Sequence, residues 1–254
     1  MALVRKRLQG ITNIVRFNWH FYALSILVIF LLVLLRNFTS GPAYYFLNVL
    51  SWIICILTLI SLFTSMYVYD ISNLYTFNWL DKSYVQQNGD IVNINAGFDE
   101  ISSLISEKYS PDNLHIFDFY DPKKHTEISI KRARNAYPPY IGTISINTTT
   151  LPVKDNSIDN IFLFLSAHEI RNEQEKNIFF KELNRIIKPT GKLIVTEHLR
   201  DVPNFIAYNI GFFHFFPKSG WLKVFNLSKF NIEQEIKITP FISSFILEKN
   251  AAST

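Results

Sequence analysis

Residues 160–196 read NIFLFLSAHEIRNEQEKNIFFKELNRIIKPTGKLIVT, and they carry the clearest fold signal in the sequence. It opens with a nearly continuous apolar run, which is typical of a parallel strand buried on both faces. A helix is predicted over 172–187, because apolar residues recur there at helical spacing and charged residues occupy the other side. Pro189 and Gly191 end that helix, and a second strand is predicted at 192–196. The stretch is therefore a strand–helix–strand unit of the kind that builds a parallel sheet.

The same alternation extends to both sides of this unit. Further helices are predicted at 100–108 and 127–136, and further strands at 91–94, 114–117, 143–146, 232–239 and 241–247. Pro240 makes a tight connection between the last two strands, so we expect them to be antiparallel neighbours. The sequence thus predicts an α/β fold with a doubly wound, mainly parallel seven-stranded sheet. Ligands of such sheets bind at the carboxyl ends of the strands.

The first 70 residues have a different composition. Two uncharged apolar runs, about 17–35 and 43–69, are each long enough to cross a hydrocarbon core of about 30 Å as a helix. Their connection is short, which predicts a transmembrane helical hairpin. We expect residues 1–70 to form a membrane anchor and residues 71–254 to form the α/β domain. A cleaved signal peptide fits less well, because the first run is long and lacks an Ala-x-Ala site. Two adjacent uncharged runs also argue against buried core helices.

Charge sets the expected orientation of this integral membrane protein. One basic residue, Arg36, lies in the connection, whereas four precede the first run, namely Arg5, Lys6, Arg7 and Arg16. The positive-inside rule then keeps both termini and the α/β domain in the cytoplasm. The net charge of +4 is small and the basic residues alternate with acids, so nucleic acid is not an expected partner. Cys55 is the only cysteine, which excludes an intrachain disulfide and a multi-cysteine metal site.

Two residues indicate a ligand at the sheet edge. Gly97 lies in a small-residue turn between the first predicted strand of the domain and its helix, where backbone can approach a ligand. Asp118 follows 21 residues later, at the end of the second strand. An acid at about this distance commonly takes ribose hydroxyls, which favours an adenosine-type ligand. An ordinary strand-to-helix turn and a solvated Asp are the alternatives.

Two segments carry a specific family resemblance. Residues 151–159 read LPVKDNSID, and residues 183–195 read LNRIIKPTGKLIV, followed by Glu197 and His198. In order and spacing they resemble class I S-adenosylmethionine (SAM)-dependent methyltransferases, in the small-molecule branch that includes ubiquinone-biosynthesis-like enzymes. The resemblance covers roughly 91–249. It implies a Rossmann-like methyltransferase fold with a reversed terminal hairpin, and SAM as the cofactor.

The resemblance also implies roles for individual residues. The implied cofactor-binding residues are Asn93, Asn95, Gly97, Asp118, Asn147, Thr148 and Ser166. His168 and Glu169 fall beside the transferring methyl group, where we expect a general base pair for an acceptor hydroxyl. A helix cap and a surface ion pair with Arg171 form the alternative.

The sequence departs from the family at its glycine-rich loop. Asn95 and Asp99 stand where the family usually has glycines, and Asn93 and Asn147 stand where it usually has acids. A non-catalytic relative that binds SAM weakly or not at all is therefore the chief alternative to an enzyme. A nicotinamide-dependent reductase is a third hypothesis, but it predicts a fuller G-x-G-x-x-G and does not predict the two segments above.

Two further patterns receive little weight. His168 and Glu169 begin like the zinc motif H-E-x-x-H, but Asn172 replaces the second histidine, so we expect no metal site. Tyr120 and Lys124 match the Tyr-x-x-x-Lys spacing of short-chain dehydrogenases. That pair belongs on a helix later in the fold, whereas here it follows the second strand.

Residues 204–221 carry more aromatic side chains than one helical face can bury, with no Lys, Arg, Asp or Glu before Lys218. A core-packing helix is one interpretation. We prefer contact with an apolar acceptor or with the membrane surface. The sequence therefore predicts a membrane-anchored methyltransferase that transfers a methyl group from SAM to a small lipophilic acceptor, with membrane lipids as its other partner.

Overall fold

The computed structural model describes residues 5–81, 84–86 and 89–250, and a seven-stranded sheet lies at its centre. The strands are β1 (Asp90–Asn95), β2 (Asn113–Asp118), β3 (Ile144–Ser145), β4 (Ile158–Phe164), β5 (Ile187–His198), β6 (Phe230–Thr239) and β7 (Ile242–Lys249). Across the sheet they run β3-β2-β1-β4-β5-β7-β6. The first five are parallel, and β7 pairs antiparallel with β5 and β6. The predicted doubly wound sheet with a reversed terminal hairpin is confirmed.

The helices comprise an N-terminal pair and five that belong to the α/β domain. They are α1 (Gln9–Arg36), α2 (Gly41–Met66), α3 (Ser102–Tyr109), α4 (Ile128–Ala136), α5 (Glu173–Ile186), α6 (Val202–Tyr208) and α7 (Lys218–Leu227). A π-helical turn, Tyr67–Ile71, continues α2 into the domain. Short 3-10 turns follow β4 at Ala167–Glu169 and α6 at Asn209–His214.

Two layers of apolar side chains sandwich the sheet. Along β4, Ile161 and Leu163 belong to a cluster that includes side chains of α5 and α7. Phe162, between them, belongs to a second cluster with α3 and with Phe77. This alternation is the period-2 pattern of a strand covered on both faces. Phe77, Leu80 and Val85 supply part of the second cover, from a stretch to which the sequence patterns assigned no element.

Strand β5 begins five residues earlier than the predicted strand at 192–196. Its first residue, Ile187, pairs with Ile158, and a register shift follows before the regular ladder with β4. Gly191 permits this close approach, because a Cβ there would lie 2.7 Å from the carbonyl oxygen of Asp159. Pro189 and Gly191 therefore mark a bulge inside the strand as well as the end of α5.

Helices α1 and α2 form the predicted hairpin. By length and composition both are apolar enough to cross a membrane, and 0% and 6% of their most apolar windows are buried. The connection between them is short, at residues 37–40. The predicted pair of apolar helices is confirmed, whereas the boundary of the membrane anchor at residue 70 stays a prediction.

The part of α1 before its kink lies on the α/β domain and extends to Phe17, where the predicted first span begins. Asn13 and Phe17 are buried there. The Phe17 ring packs edge-on against Phe98 and Tyr137, with ring centroids 5.8 and 6.3 Å apart. The helix kinks at Asn18, where φ is −116° and ψ is 19°. Most of the large apolar side chains of α1 beyond the kink are exposed.

The two ends of the hairpin are tied together beside the sheet. The carboxylate of Asp70 accepts hydrogen bonds from the backbone N–H groups of Gly10 and Ile11, both at 2.7 Å. The Tyr69 hydroxyl lies 2.8 Å from Nε2 of His198, the last residue of β5. The end of the hairpin is thus hydrogen-bonded to the domain near the carboxyl end of the sheet.

Candidate cofactor and acceptor site

The carboxyl ends of β1 and β4 open into a pocket of about 110 Å³. Its lining residues are Asn93, Asn95, Ala96, Phe98, Asp99, Glu100, Ile101, Ile130, Phe164, Leu165 and Glu169. Ligands of doubly wound sheets bind at this edge. Three of the nine predicted site residues, Asn93, Asn95 and Glu169, line the pocket directly.

The turn after β1 is built around Gly97. Its φ is +97°, a left-handed conformation that glycine adopts without a steric cost. The Asn95 side-chain oxygen accepts a hydrogen bond from the Gly97 N–H at 3.0 Å. The Asn95 Nδ2 atom is buried without a hydrogen-bond partner among the described residues. Asn95 therefore stabilises the turn in place of a glycine and leaves one donor beside the pocket.

Asp99 replaces another glycine of the family loop and starts α3. Its Oδ1 atom accepts hydrogen bonds from the backbone N–H groups of Ile101 and Ser102, at 3.1 and 3.0 Å. Asn93 braces the same turn, with Nδ2 3.2 Å from Asp99 Oδ1 and 2.8 Å from the Ser102 hydroxyl. Within the described chain, the buried Asp99 Oδ2 has no hydrogen-bond partner. A negative charge is thus left at the floor of the pocket.

Asp118 stands at the end of β2, directly opposite Asn95 in the strand register. Its Oδ1 accepts a hydrogen bond from the Tyr120 N–H at 2.9 Å. Its Oδ2 forms an ion pair with Arg134 of α4. The Arg134 guanidinium stacks over the Tyr120 ring, 4.4 Å from its centroid, and its side chain lies against Gly97. The carboxylate predicted to bind ribose therefore lies at the end of β2, where it is paired with an arginine.

No sequence pattern assigned a role to Arg134. The available signal was the basic helix at 127–136, which follows a strand that ends in an acid. A helix after β2 returns along the sheet, so one of its basic side chains can reach that acid.

Asn147, Thr148 and Ser166 make local contacts and do not line the pocket. The Asn147 Oδ1 accepts hydrogen bonds from the N–H groups of the second and third residues after it. The Thr148 hydroxyl donates to a Glu175 carboxylate oxygen. The Ser166 hydroxyl donates to the carbonyl of Ile94 at 2.9 Å, which links β4 to β1. Direct cofactor contact by these three residues stays a prediction.

His168 is buried between two carboxylates after β4. Its Nδ1 lies 2.6 Å from Oε2 of Glu197, and its Nε2 lies 3.1 Å from Oε1 of Glu169. Burial lowers the pKa of His168, but the charges and hydrogen bonds of Glu197 and Glu169 overcome it and raise the pKa to about 10. The two carboxylates thus favour the protonated ring, and a general-base role for His168 stays a prediction.

The carboxylate of Glu169 is the other proton acceptor of the predicted general base pair. Burial raises the pKa of its carboxyl, but hydrogen bonds and charges from His168 and His214 outweigh burial and hold the pKa well below its usual range. His214 belongs to the 3-10 turn after α6, and its Nε2 lies 3.4 Å from Glu169 Oε1. The sequence patterns missed His214, because 46 residues separate it from His168.

The aromatic segment divides into two sets. On the inner side, Phe215 stacks on His198 with centroids 4.7 Å apart, and Phe216 packs edge-on against the buried Trp221. On the outer side an apolar patch is exposed beside α2; we define it as Val202, Phe205, Ile206, Ile210 and Phe213. The core-packing interpretation of 204–221 therefore holds for the inner set, and contact of the outer set with an apolar acceptor or the membrane stays a prediction.

Part of the chain is similar in sequence to known methyltransferases. A family model described as a methyltransferase domain matches residues 121–195. The ubiquinone/menaquinone biosynthesis C-methyltransferase UbiE of Hahella chejuensis is 23% identical over 145 residues, which cover 56% of this chain and 57% of that one. UbiE of Shewanella oneidensis is 31% identical over 84 residues, 32% of each chain. The chain thus spans at most a little over half the length of these relatives.

Solved structures agree on the fold. A SAM-dependent methyltransferase from Aquifex aeolicus superposes with a TM-score of 0.51 at 12% identity, covering 75% of this chain and 97% of that one. One from Clostridium acetobutylicum gives 0.52 at 10% identity, covering 74% and 98%. The α/β unit therefore has the class I methyltransferase fold. Within that class, the family model and the UbiE relatives confirm the predicted small-molecule, ubiquinone-biosynthesis-like branch.

Proposed function

We propose that the protein is a membrane-bound, SAM-dependent methyltransferase that acts on a small lipophilic acceptor. The observation that carries this proposal is the pairing of Asn95 and Asp118 at the carboxyl ends of neighbouring strands, beside the Gly97 turn. The family model, the UbiE relatives and the methyltransferase neighbours support both the activity and SAM as the cofactor.

The polar groups of the pocket fit this cofactor. The Asp118 carboxylate would accept hydrogen bonds from the ribose hydroxyls. The two unpartnered buried atoms, Asn95 Nδ2 and Asp99 Oδ2, would gain hydrogen-bond partners. SAM supplies an activated, positively charged methyl donor, which the Asp99 carboxylate favours electrostatically. Positioning and exclusion of water then account for most of the rate.

Binding requires the pocket to open. Its volume of about 110 Å³ is below the roughly 300–1,000 Å³ of typical ligand pockets. Arg134 fills the space in front of Asp118, and its side chain is about one-third exposed. Moving that arginine toward solvent would release the carboxylate and enlarge the pocket on the side where ribose belongs.

The membrane role rests on the hairpin and on the apolar patch. The patch lies beside α2, on the segment that also delivers His214 to Glu169. A lipophilic acceptor could thus pass from the bilayer to the pocket along one segment. The excess of basic residues before α1 favours an integral membrane protein with both termini and the domain in the cytoplasm.

A second candidate function has its own support. Asn95 and Asp99 in glycine positions, together with the ion pair between Arg134 and Asp118, give a pocket that is closed and internally satisfied. These features favour a non-catalytic relative tethered to the membrane that has kept the fold and lost the cofactor.

Methyl transfer by the full chain separates the two candidates. The chain in lipid nanodiscs is incubated with methyl-labelled SAM and a lipid extract from cells lacking the protein. We expect label in the organic phase with the wild type and at least tenfold less with Asp118→Ala. The control variant is Lys131→Gln, at an exposed position of α4, which should transfer as much label as the wild type. Equal labelling by the wild type and Asp118→Ala would contradict the proposed function.

A further inference from the structure

The acceptor side of the pocket holds a cluster with the composition of a metal centre. Nε2 of His168, a carboxylate oxygen of Glu169 and a ring nitrogen of His214 all lie within 4.8 Å of one another. The three residues come from two separate 3-10 turns, one after β4 and one after α6. The fold, and no local sequence motif, therefore brings them together.

The spacing of these atoms suits a shared ion. His168 Nε2 is 3.1 Å and His214 Nε2 is 3.4 Å from the same atom, Oε1 of Glu169. Ligands placed about 2.0–2.2 Å from a tetrahedral ion lie roughly 3.3–3.6 Å apart, and those of an octahedral ion about 3 Å apart. The second distance is longer than a good N–H···O hydrogen bond of about 2.7–3.2 Å. One oxygen flanked by two imidazole nitrogens at these distances, with the two nitrogens within 4.8 Å of each other, is compatible with a two-histidine, one-carboxylate site.

Each histidine also has an outer carboxylate. His168 Nδ1 lies 2.6 Å from Glu197, and His214 Nδ1 lies 2.7 Å from Glu127. In metal sites a ligating histidine donates its other ring N–H to such a partner, which fixes the tautomer and leaves Nε2 free for the ion. Both rings here are oriented in that way, with Nε2 facing Glu169.

The charge of the cluster favours a cation. With neutral imidazoles, the three carboxylates of Glu127, Glu169 and Glu197 outweigh the two nearby cations, Arg171 and the buried Lys176. The Arg171 guanidinium reaches the His214 ring and has to withdraw from Nε2 when an ion enters. Its side chain is 40% exposed, so the way to solvent is open.

We propose that His168, Glu169 and His214 bind a divalent transition-metal ion of the zinc class at the acceptor end of the pocket. Three protein ligands leave at least one coordination position for an outside oxygen, as in catalytic zinc sites. Glu169 lines the pocket, so that position serves the acceptor. An ion there would bind an acceptor hydroxyl and favour loss of its proton to solvent. An oxygen lone pair would then attack the methyl carbon of SAM as the methyl–sulfur bond breaks, and the neutral thioether S-adenosylhomocysteine would leave with that electron pair.

This inference rests on the proposed function for its role and replaces the expectation of no metal site. That expectation considered only ligands on one helix, and Asn172 in place of a second histidine excluded them. His214 supplies the missing ligand from a distant segment.

Zinc binding by the full chain in detergent tests the site without any methyl donor. After chelation and dialysis, calorimetric titration with Zn²⁺ should give one site per chain. His214→Ala and His168→Ala should weaken it by at least about 100-fold, and Glu127→Gln, which removes only an outer partner, by about tenfold. The matched control is His115→Ala on β2, which should bind like the wild type.

Thermal unfolding of each variant shows whether it is folded. His214 is the informative position, since its side chain is 24% exposed and its removal leaves the buried core intact. No Zn²⁺ binding by the wild type, or equal binding by wild type and a folded His214→Ala, would overturn the proposal. SAM binding is measured separately on the chelated protein, so failure of the metal site and failure of the methyltransferase function give different results.

Discussion

Asp118 and Arg134 are the pair on which the cofactor site depends. The carboxylate stands where the family holds ribose, and the guanidinium closes that position. Since the arginine is about one-third exposed, its ion pair is worth only about 0.2–1 kcal/mol. That cost is small enough for a bound ligand to displace it.

Replacing the arginine should therefore improve cofactor binding. We expect Arg134→Gln to tighten SAM binding by up to about fivefold, because about 1 kcal/mol no longer opposes it. Calorimetry on the full chain measures this, with Lys131→Gln on the same helix as the control. Weaker binding by Arg134→Gln would instead mean that the arginine holds the cofactor.

His198 makes the stability of the folded protein depend on pH. Burial lowers the pKa of this ring to about 4, and it accepts a hydrogen bond at Nε2 from Tyr69 only when neutral. The unfolded chain takes up the proton near pH 6.5. Between about pH 6.5 and 4 the unfolded state binds more protons, so stability falls as pH falls, by up to about 1.4 kcal/mol per pH unit.

Unfolding of the full chain in detergent between pH 7 and 5 measures this loss. His198→Gln does not titrate, so its stability should depend less steeply on pH in this range. The carboxyl groups protonate mainly below about pH 4.5 and contribute little to the difference. If the unfolding free energies of the wild type and His198→Gln depend on pH equally, the His198 ring is solvated and this explanation is wrong.

At the scale of elements, the best predicted part was the β4–α5–β5 unit. Its apolar periodicity is local and both elements are buried, so the sequence alone defined them. The start of β5 was not predictable, because Pro189 and Gly191 read as a helix end and the bulge depends on contact with β4. The start of α1 was missed for a related reason: its first turns are polar, and packing against Phe98 and Tyr137 stabilises them.

The N-terminus of α1 depends on one distant carboxylate. Asp70→Ala would leave the backbone N–H groups of Gly10 and Ile11 without their acceptor. Loss of a helix cap costs about 0.5–2 kcal/mol, so we expect lower thermal stability and faster proteolysis before residue 20. Asp112→Ala, at an exposed position before β2, is the matched control. Equal proteolysis of the two variants would argue against this tie.

For the whole molecule, the sequence predicted which edge of the sheet holds the pocket better than it predicted how the pocket is built. Gly97 and Asp118 were found because they lie at fixed positions relative to strands. Arg134 and His214 were not, because they reach the site from a helix and a turn whose approach is set by tertiary packing. The exposed apolar patch was predicted as a segment, but only the fold separates its outer residues from Phe215 and Phe216.

The orientation of the whole chain is open to a direct test. The bias of basic residues before α1 predicts that both termini are cytoplasmic and that the connection at 37–40 faces outward. Reporter fusions after Gly41 and after Thr254 should report opposite sides. An outside signal from the Thr254 fusion would contradict the orientation and remove the domain from cytoplasmic SAM.

The most direct test of the central claim is calorimetric titration of the full chain in nanodiscs with SAM. Hydrogen bonds to a charged group are worth roughly 1.5–3 kcal/mol, so Asp118→Ala should bind about 10- to 100-fold more weakly than the wild type. We expect measurable binding by the wild type, in the micromolar range or weaker, and a folded Asp118→Ala. No binding heat from folded wild type, and none from Arg134→Gln, would contradict the claim and leave a non-catalytic membrane protein with a methyltransferase fold.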